Sequence, residues 1–148
     1  MLIGQFQTKL DEKGRCAIPA KFRSKIGKRA VLAKWYEGCL VFVGEDGWIA
    51  LLEKLTAKSE IFTSPVRDTD RFIMGSAFEI ELDSQGRFVV PKLLRDYANL
   101  ASDITFLGLG ERIEIWNSKN WEEKERQVSE NAEKLIETLA RDTKENGK

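Results

Sequence analysis

Hydrophobic and polar residues alternate near the start of the chain and again in its middle. The apolar or β-branched positions of the two runs are Phe6, Thr8 and Leu10, and Phe78, Ile80 and Leu82. A period of two predicts a half-buried β-strand in each place. The same kind of element is therefore expected twice.

Each run leads into the motif Leu-Asp-x-x-Gly-Arg-x-x-x-Pro, which begins at Leu10 and again at Leu82. Six identities coincide without a gap between 10–23 and 82–95, including a final arginine at Arg23 and Arg95. Matching positions continue on both sides of the motif, so chance is a poor explanation. The chain therefore contains one structural unit written twice.

The repeat divides the chain into four segments. We predict the first unit at 5–48, a helical linker at 49–76, the second unit at 77–121, and a C-terminal helix and tail at 122–148. Units this small bury too little surface to be stable alone. We therefore expect them to pack together or the whole chain to form an oligomer.

The motif has the chemistry of a tight turn. Aspartate at the first position caps the turn amides and glycine at the fourth takes a positive φ, which applies to Asp11 with Gly14 and to Asp83 with Gly86. This predicts two hairpins whose second strands, 15–18 and 87–90, open on an arginine.

The other elements follow from local signals. Pro19 and Pro91 suit the first position of short helices at 21–26 and 92–98. Further strands are predicted near 30–33, 39–43, 104–107 and 112–116.

A helix at 45–58 carries Trp48, Leu51, Leu52 and Leu55 on one face. Ser118 is predicted to cap a last helix with Glu122 and Glu123 in its first turn. The stripe Val128, Ala132, Leu135 and Leu139 on that helix fits simple packing or a subunit contact.

Composition removes several classes of function. The chain has no histidine, which excludes Ser-His-Asp and Cys-His catalysis and histidine-ligated zinc. Cys16 and Cys39 match no metal or redox spacing; two buried thiols are expected, with a disulfide as the alternative. Asp11 and Asp83 form a paired-carboxylate candidate for acid–base catalysis, but turn capping explains both. We expect no enzyme, no cofactor and no metal.

Charge is distributed unevenly along a chain whose net charge is zero. Residues 1–35 hold nine basic side chains against two acidic ones. Within this segment, Lys13 and Arg15 flank Gly14 and form a candidate tip for phosphate or a guanine edge. The alternative is a local ion pair between each arginine and the aspartate four residues before it. Two such tips side by side form a basic β platform that can enter a DNA groove.

The sequence resembles the MraZ family, bacterial transcriptional regulators of the SpoVT–AbrB swapped-hairpin class. Besides the doubled motif, the resemblance is carried by Gly4-Gln-Phe, by Glu111-Arg-Ile-Glu-Ile-Trp116 and by Trp121-Glu. It implies a mainly β fold with flanking helices, a double-split β-barrel built from two tandem repeats in one chain. It also implies a ring-shaped homo-oligomer, with an octamer favoured.

The resemblance further implies binding to repeated promoter boxes and repression of the chain's own division and cell-wall operon, in the cytoplasm at the nucleoid. Carried over by position, Lys13 and Arg15 lie at the DNA, with Arg87 as their counterpart in the second repeat. Lys9 and Gln85 complete the set of predicted DNA-binding residues. The turn scaffold is Asp11, Gly14, Pro19, Asp83, Gly86 and Pro91. Gln85 stands where the first unit has Lys13, so the second tip is less basic.

Expected partners are double-stranded promoter DNA and further copies of the chain, without a membrane or a small-molecule substrate. Two alternatives stay open: an antitoxin-like swapped-hairpin partner protein, and a scaffold that only assembles rings.

Overall fold

The computed structural model describes residues 1–56 and 62–146, with the side chains of 145 and 146 left aside. Its eight strands are β1 (Leu2–Lys9), β2 (Arg15–Ala17), β3 (Arg29–Lys34), β4 (Leu40–Gly44), β5 (Phe78–Glu81), β6 (Arg87–Val89), β7 (Asp103–Gly110) and β8 (Ile113–Asn117). Its α-helices are α1 (Ala20–Ile26), α2 (Glu45–Leu55), α3 (Ser64–Ile73), α4 (Lys92–Tyr97) and α5 (Ser118–Asn146).

Six strands form one antiparallel sheet in the order β1-β7-β8-β4-β3-β5, and β2 with β6 forms a separate two-stranded ribbon. Strand β1 of the first repeat pairs along its whole length with β7 of the second, and β5 of the second pairs with β3 of the first. When each strand is replaced by its counterpart in the other repeat, the same order results, read from the opposite edge of the sheet. This is the swapped-hairpin arrangement that the resemblance to the MraZ family implied.

The six-stranded sheet is open, with β1 and β5 at its edges, rather than a closed barrel. Helices also hold more of the described residues than strands do, because α5 alone takes 29 residues. The fold is therefore α+β by content and swapped-hairpin by topology.

The prediction of two local hairpins was wrong beyond the turns themselves. The Leu10 amide donates to the Ser102 carbonyl at 2.9 Å, and the Leu82 amide donates to the Lys28 carbonyl at 2.8 Å. Each strand that enters a turn therefore stays in the large sheet with the opposite repeat, whereas the strand that leaves it joins the ribbon. A four-residue turn determines a reversal of the chain but not which strands pair beyond it.

Both repeats contribute to one hydrophobic core. Equivalent positions are buried together: Leu10 with Leu82, Cys16 with Phe88, Ile18 with Val90, and Phe22 with Leu94. Both cysteines are free and buried, as expected. Residues Met1–Ser118 form one compact unit, and a second begins at Lys119.

Several helix boundaries differ from the predictions. Pro19 and Pro91 lie one residue before their helices rather than at the first helical position. Helix α2 ends at Leu55, and the predicted end at Lys58 lies outside the described residues. On its predicted apolar face, Leu51 is buried and the other three side chains are half-buried.

Helix α5 begins at Ser118 itself, which was predicted to be the capping residue. Its first turn holds no acidic residue, so the placement of Glu122 and Glu123 there was wrong. Ser118 is the first helical residue, and its hydroxyl is hydrogen-bonded to that of Thr105 at 2.8 Å. Along the helix, Val128, Leu135 and Leu139 are exposed. Among the described helices, none is long and apolar enough to cross a membrane.

Candidate nucleic-acid interface

The two turns have the same geometry. In the first, Asp11 Oδ1 accepts the amides of Lys13 at 2.9 Å and Arg15 at 2.8 Å, and Gly14 has a φ of 82°. In the second, Asp83 Oδ1 accepts the amides of Gln85 and Arg87, each at 2.9 Å, and Gly86 has a φ of 76°. These bonds, led by the arginine amide, lower the pKa of both aspartates below the ordinary value of 3.8.

Each turn aspartate also pairs with its own arginine. Arg15 Nε donates to Asp11 Oδ2 at 2.6 Å, and Arg87 Nε donates to Asp83 Oδ2 at 2.7 Å. The local ion pair considered from the sequence is therefore present in both repeats. The arginine side chains nevertheless stay 60% and 62% exposed. The pair uses Nε alone and orients the guanidinium without covering it.

The ribbon brings the two arginines onto one face. Arg15 lies opposite Val89, and Ala17 lies opposite Arg87. Cys16 and Phe88 point into the core, so Arg15 and Arg87 both point outward. As diagonal neighbours on one face, their backbones lie about 7–8 Å apart.

A shallow concavity of about 810 Å³ runs along this face. Its lining comprises Thr8, Lys9, Asp11, Arg15, Cys16, Ala17, Glu81, Asp83, Arg87, Phe88 and Val89. The three cationic residues in this lining are matched by three anionic ones. The lining of this concavity is thus charge-balanced, which differs from the basic platform predicted from the two turn tips.

The predicted DNA-contacting residues have unequal surroundings. Lys9 forms an ion pair with Asp103, its register partner on β7. Lys13 is exposed at the tip of the first turn, and within the described part of the chain it has no carboxylate partner. Gln85 occupies the equivalent place on the second turn and is also exposed. Contact with DNA at these positions remains a prediction.

Each turn is also attached to the opposite repeat. The Gly14 carbonyl accepts the Val90 amide, and the Gly86 carbonyl accepts the Ile18 amide, both at 2.8 Å. Beside these bonds lie two arginines that the site prediction did not include. A Cβ built on Gly14 would lie 2.8 Å from Arg95 Nε, and one built on Gly86 would lie 2.5 Å from Arg23 Nε. Their only sequence signal is the matching arginine that ends each copy of the motif.

The family comparison agrees with the duplicated architecture. Residues 1–72 and 73–145 each match the family model described as "MraZ protein, putative antitoxin-like". The chain belongs to the MraZ family. The boundary between the two matches falls inside the predicted linker at 49–76.

Similar proteins cover nearly the whole chain. One from Syntrophomonas wolfei is 39% identical over 140 residues, which is 95% of this chain and 94% of the relative. One from Caldanaerobacter subterraneus is 37% identical over 139 residues, covering 94% and 96%. One from Moorella thermoacetica is 38% identical over 140 residues, again covering 94% and 96%. Each of these MraZ proteins is named a transcriptional regulator.

Proposed function

We propose that this protein is a sequence-specific DNA-binding transcriptional regulator whose ribbon face contacts promoter DNA. The observation that carries the proposal is the placement of Arg15 and Arg87, from different repeats, on one exposed face of a two-stranded ribbon. A ribbon of this width fits the major groove of B-DNA. The transcriptional-regulator names of the MraZ relatives support the same function.

The local ion pairs are compatible with this role. Because each aspartate binds Nε, the outer nitrogens of the guanidinium remain available for a bidentate contact with a guanine edge or a phosphate. The aspartate also fixes the direction of the arginine, which reduces the conformational entropy lost on binding.

Selective binding is proposed to come from several copies of this face. In a ring-shaped homo-oligomer, with an octamer favoured, each added contact becomes intramolecular and raises avidity by about 10² to 10⁴. Repeated promoter boxes at the spacing of neighbouring subunits are then recognised together. The proposed target is the promoter of the chain's own division and cell-wall operon, which the protein represses in the cytoplasm at the nucleoid.

Footprinting on DNA upstream of the chain's own gene tests this function, with Arg15→Ala in parallel. The wild-type protein should protect repeated short boxes, and the variant should keep its fold and oligomeric state while losing protection. A wild-type protein that forms rings but protects no DNA, even at low salt, would support the ring-forming scaffold instead.

A partner-protein function is the second candidate, because the matching family model is described as "putative antitoxin-like". Strand β5 is an edge strand of the six-stranded sheet, and a groove of about 640 Å³ lies between it and α2. Exposed Ile49 and Phe78 line this groove. A toxin that co-purifies with the wild-type chain and is released by Ile49→Asp, with DNA binding intact, would favour this function.

A further inference from the structure

Arg23 and Arg95 carry positive charge that the described structure leaves uncompensated. Neither has a carboxylate within 4.0 Å among the described residues, in contrast with Arg15 and Arg87. The Nε atom of each is buried without a hydrogen-bond partner in the described part of the chain. The outer guanidinium nitrogens make no hydrogen bond with the described residues and are not among their buried unpartnered atoms, so they reach the surface.

These arginines are exchanged between the repeats. Arg23 belongs to α1 of the first repeat but lies against Gly86 in the turn of the second. Arg95 belongs to α4 of the second repeat but lies against Gly14 in the turn of the first. The same exchange occurs at both ends of the ribbon, so it follows from the fold rather than from one side chain.

We propose that Arg23 and Arg95 bind DNA backbone phosphates in trans, so that each DNA-contacting turn is a composite of both repeats. This rests on the proposed DNA-binding function. The DNA-contacting groups at the first turn are then Lys13, Arg15 and Arg95, and those at the second turn are Gln85, Arg87 and Arg23.

Electrostatics favours a phosphate as the ligand. The lining of the concavity is charge-balanced, so net attraction to DNA must come from cations outside it. Arg23 and Arg95 are not part of that lining and have no anionic partner among the described residues. A guanidinium group binds a phosphate strongly, because the phosphate accepts two of its hydrogen bonds at once. At the second turn, Arg23 supplies a second cation beside Arg87, because Gln85 is uncharged.

The salt dependence of binding separates a phosphate contact from a purely structural role. Arg23→Met and Arg95→Met keep most of the side-chain length and remove the charge. With a duplex from upstream of the chain's own gene, each variant should bind about tenfold more weakly, and the slope of log K against log salt should fall by about 0.9. Arg71→Met, on α3 and paired with Asp68, is the matched control and should change neither.

The outcomes distinguish this inference from the function on which it rests. A wild-type protein that does not bind the duplex removes the proposed function. Binding that is lost in Arg15→Ala but unchanged in Arg23→Met and Arg95→Met, slope included, overturns the trans contact alone.

Double variants test which turn each arginine serves. The loss of DNA affinity in the double variant Arg23→Met/Arg87→Ala should differ from the product of the two single losses by about twofold or more. The double variant Arg23→Met/Lys13→Met should equal that product. Arg95→Met should show the reverse pattern. Coupling of Arg23 to Lys13 instead would mean that each arginine serves its own repeat.

Modification of the wild-type protein covers the case in which a methionine variant does not fold. Phenylglyoxal should modify Arg23 and Arg95 in the free protein, and the bound duplex should protect both, as measured by mass spectrometry. Absence of modification in the free protein, or modification that DNA does not reduce, overturns the proposal.

Discussion

Asp11 holds Arg15 at two points: one carboxylate oxygen accepts its backbone amide at 2.8 Å, and the other accepts its Nε at 2.6 Å. The turn therefore fixes both the backbone and the side chain of the arginine through one residue. Asp83 holds Arg87 in the same way. This relationship links the stability of the turns to the presentation of the guanidinium groups.

Acid should weaken the folded state through these two aspartates. Their pKa values are lower in the folded chain, so their stabilising effect is present above the ordinary value of 3.8 and is lost as pH falls through the folded pKa. Urea unfolding of Asp11→Asn/Asp83→Asn should show a smaller loss of stability between about pH 5 and pH 2 than the wild type. Glu12→Gln alters a neighbouring carboxylate without removing these bonds; an equal flattening there would contradict the prediction.

Exchange of the tip residues should change the strength of DNA binding in opposite directions. Lys13→Gln makes the first turn resemble the second, and Gln85→Lys does the converse. Loss of one phosphate contact in Lys13→Gln should make the slope of log K against log salt shallower by about 0.9. Gain of one contact in Gln85→Lys should make it steeper by about the same amount. Fluorescence anisotropy at several salt concentrations measures this. Equal slopes in the two variants would indicate that neither tip is close to the DNA backbone.

Alanine at the turn glycines should destabilise the fold. Gly14→Ala and Gly86→Ala combine a positive φ with a Cβ placed within 3.0 Å of atoms from the opposite repeat. In each variant, the backbone strain and the close contact together should lower the unfolding free energy by roughly 1–3 kcal/mol.

Gly38→Ala is the matched control, because Gly38 has a φ of 75° and, its chain neighbours aside, no atom of the described residues lies within 4 Å of an added Cβ. It should cost only about 1 kcal/mol. Thermal or urea unfolding gives both values, and equal losses at all three glycines would contradict a role for the contact with the opposite repeat.

The two thiols should resist modification in the folded protein. Burial raises the pKa of Cys16 to about 12 and also raises the pKa of Cys39. Ellman's reagent at mildly alkaline pH should therefore react with both cysteines only after unfolding by denaturant. Rapid reaction of either thiol in the native protein would show that its site opens readily.

Local chemistry accounts for what the sequence predicted well. The turns at Asp11 and Asp83 depend on residues within four positions of each other, so their form is visible in the motif. Strand pairing depends on distant residues, such as Leu10 with Ser102, and a hairpin is the simplest but incorrect extension of a turn. Topology came from resemblance to a family rather than from the pattern.

The candidate site was predictable to the same extent. Arg15 and Arg87 follow from the motif, but the charge of Lys9 is offset by Asp103, which is 94 residues away. The contacts of Arg23 with Gly86 and of Arg95 with Gly14 depend on the crossing of the repeats. A count of charges along a segment cannot show which of them share a face or have a partner.

The exchangeable strand order has a consequence for how the chain is connected. Because β1 pairs with β7 and β5 pairs with β3, neither half can complete its own sheet. Cutting the chain between β4 and β5 would leave every strand pair formable, but as contacts between two separate polypeptides. Folding would then become bimolecular and dependent on concentration. The connection through α2 and α3 therefore acts as a covalent tether that turns a two-chain assembly into a single-chain fold.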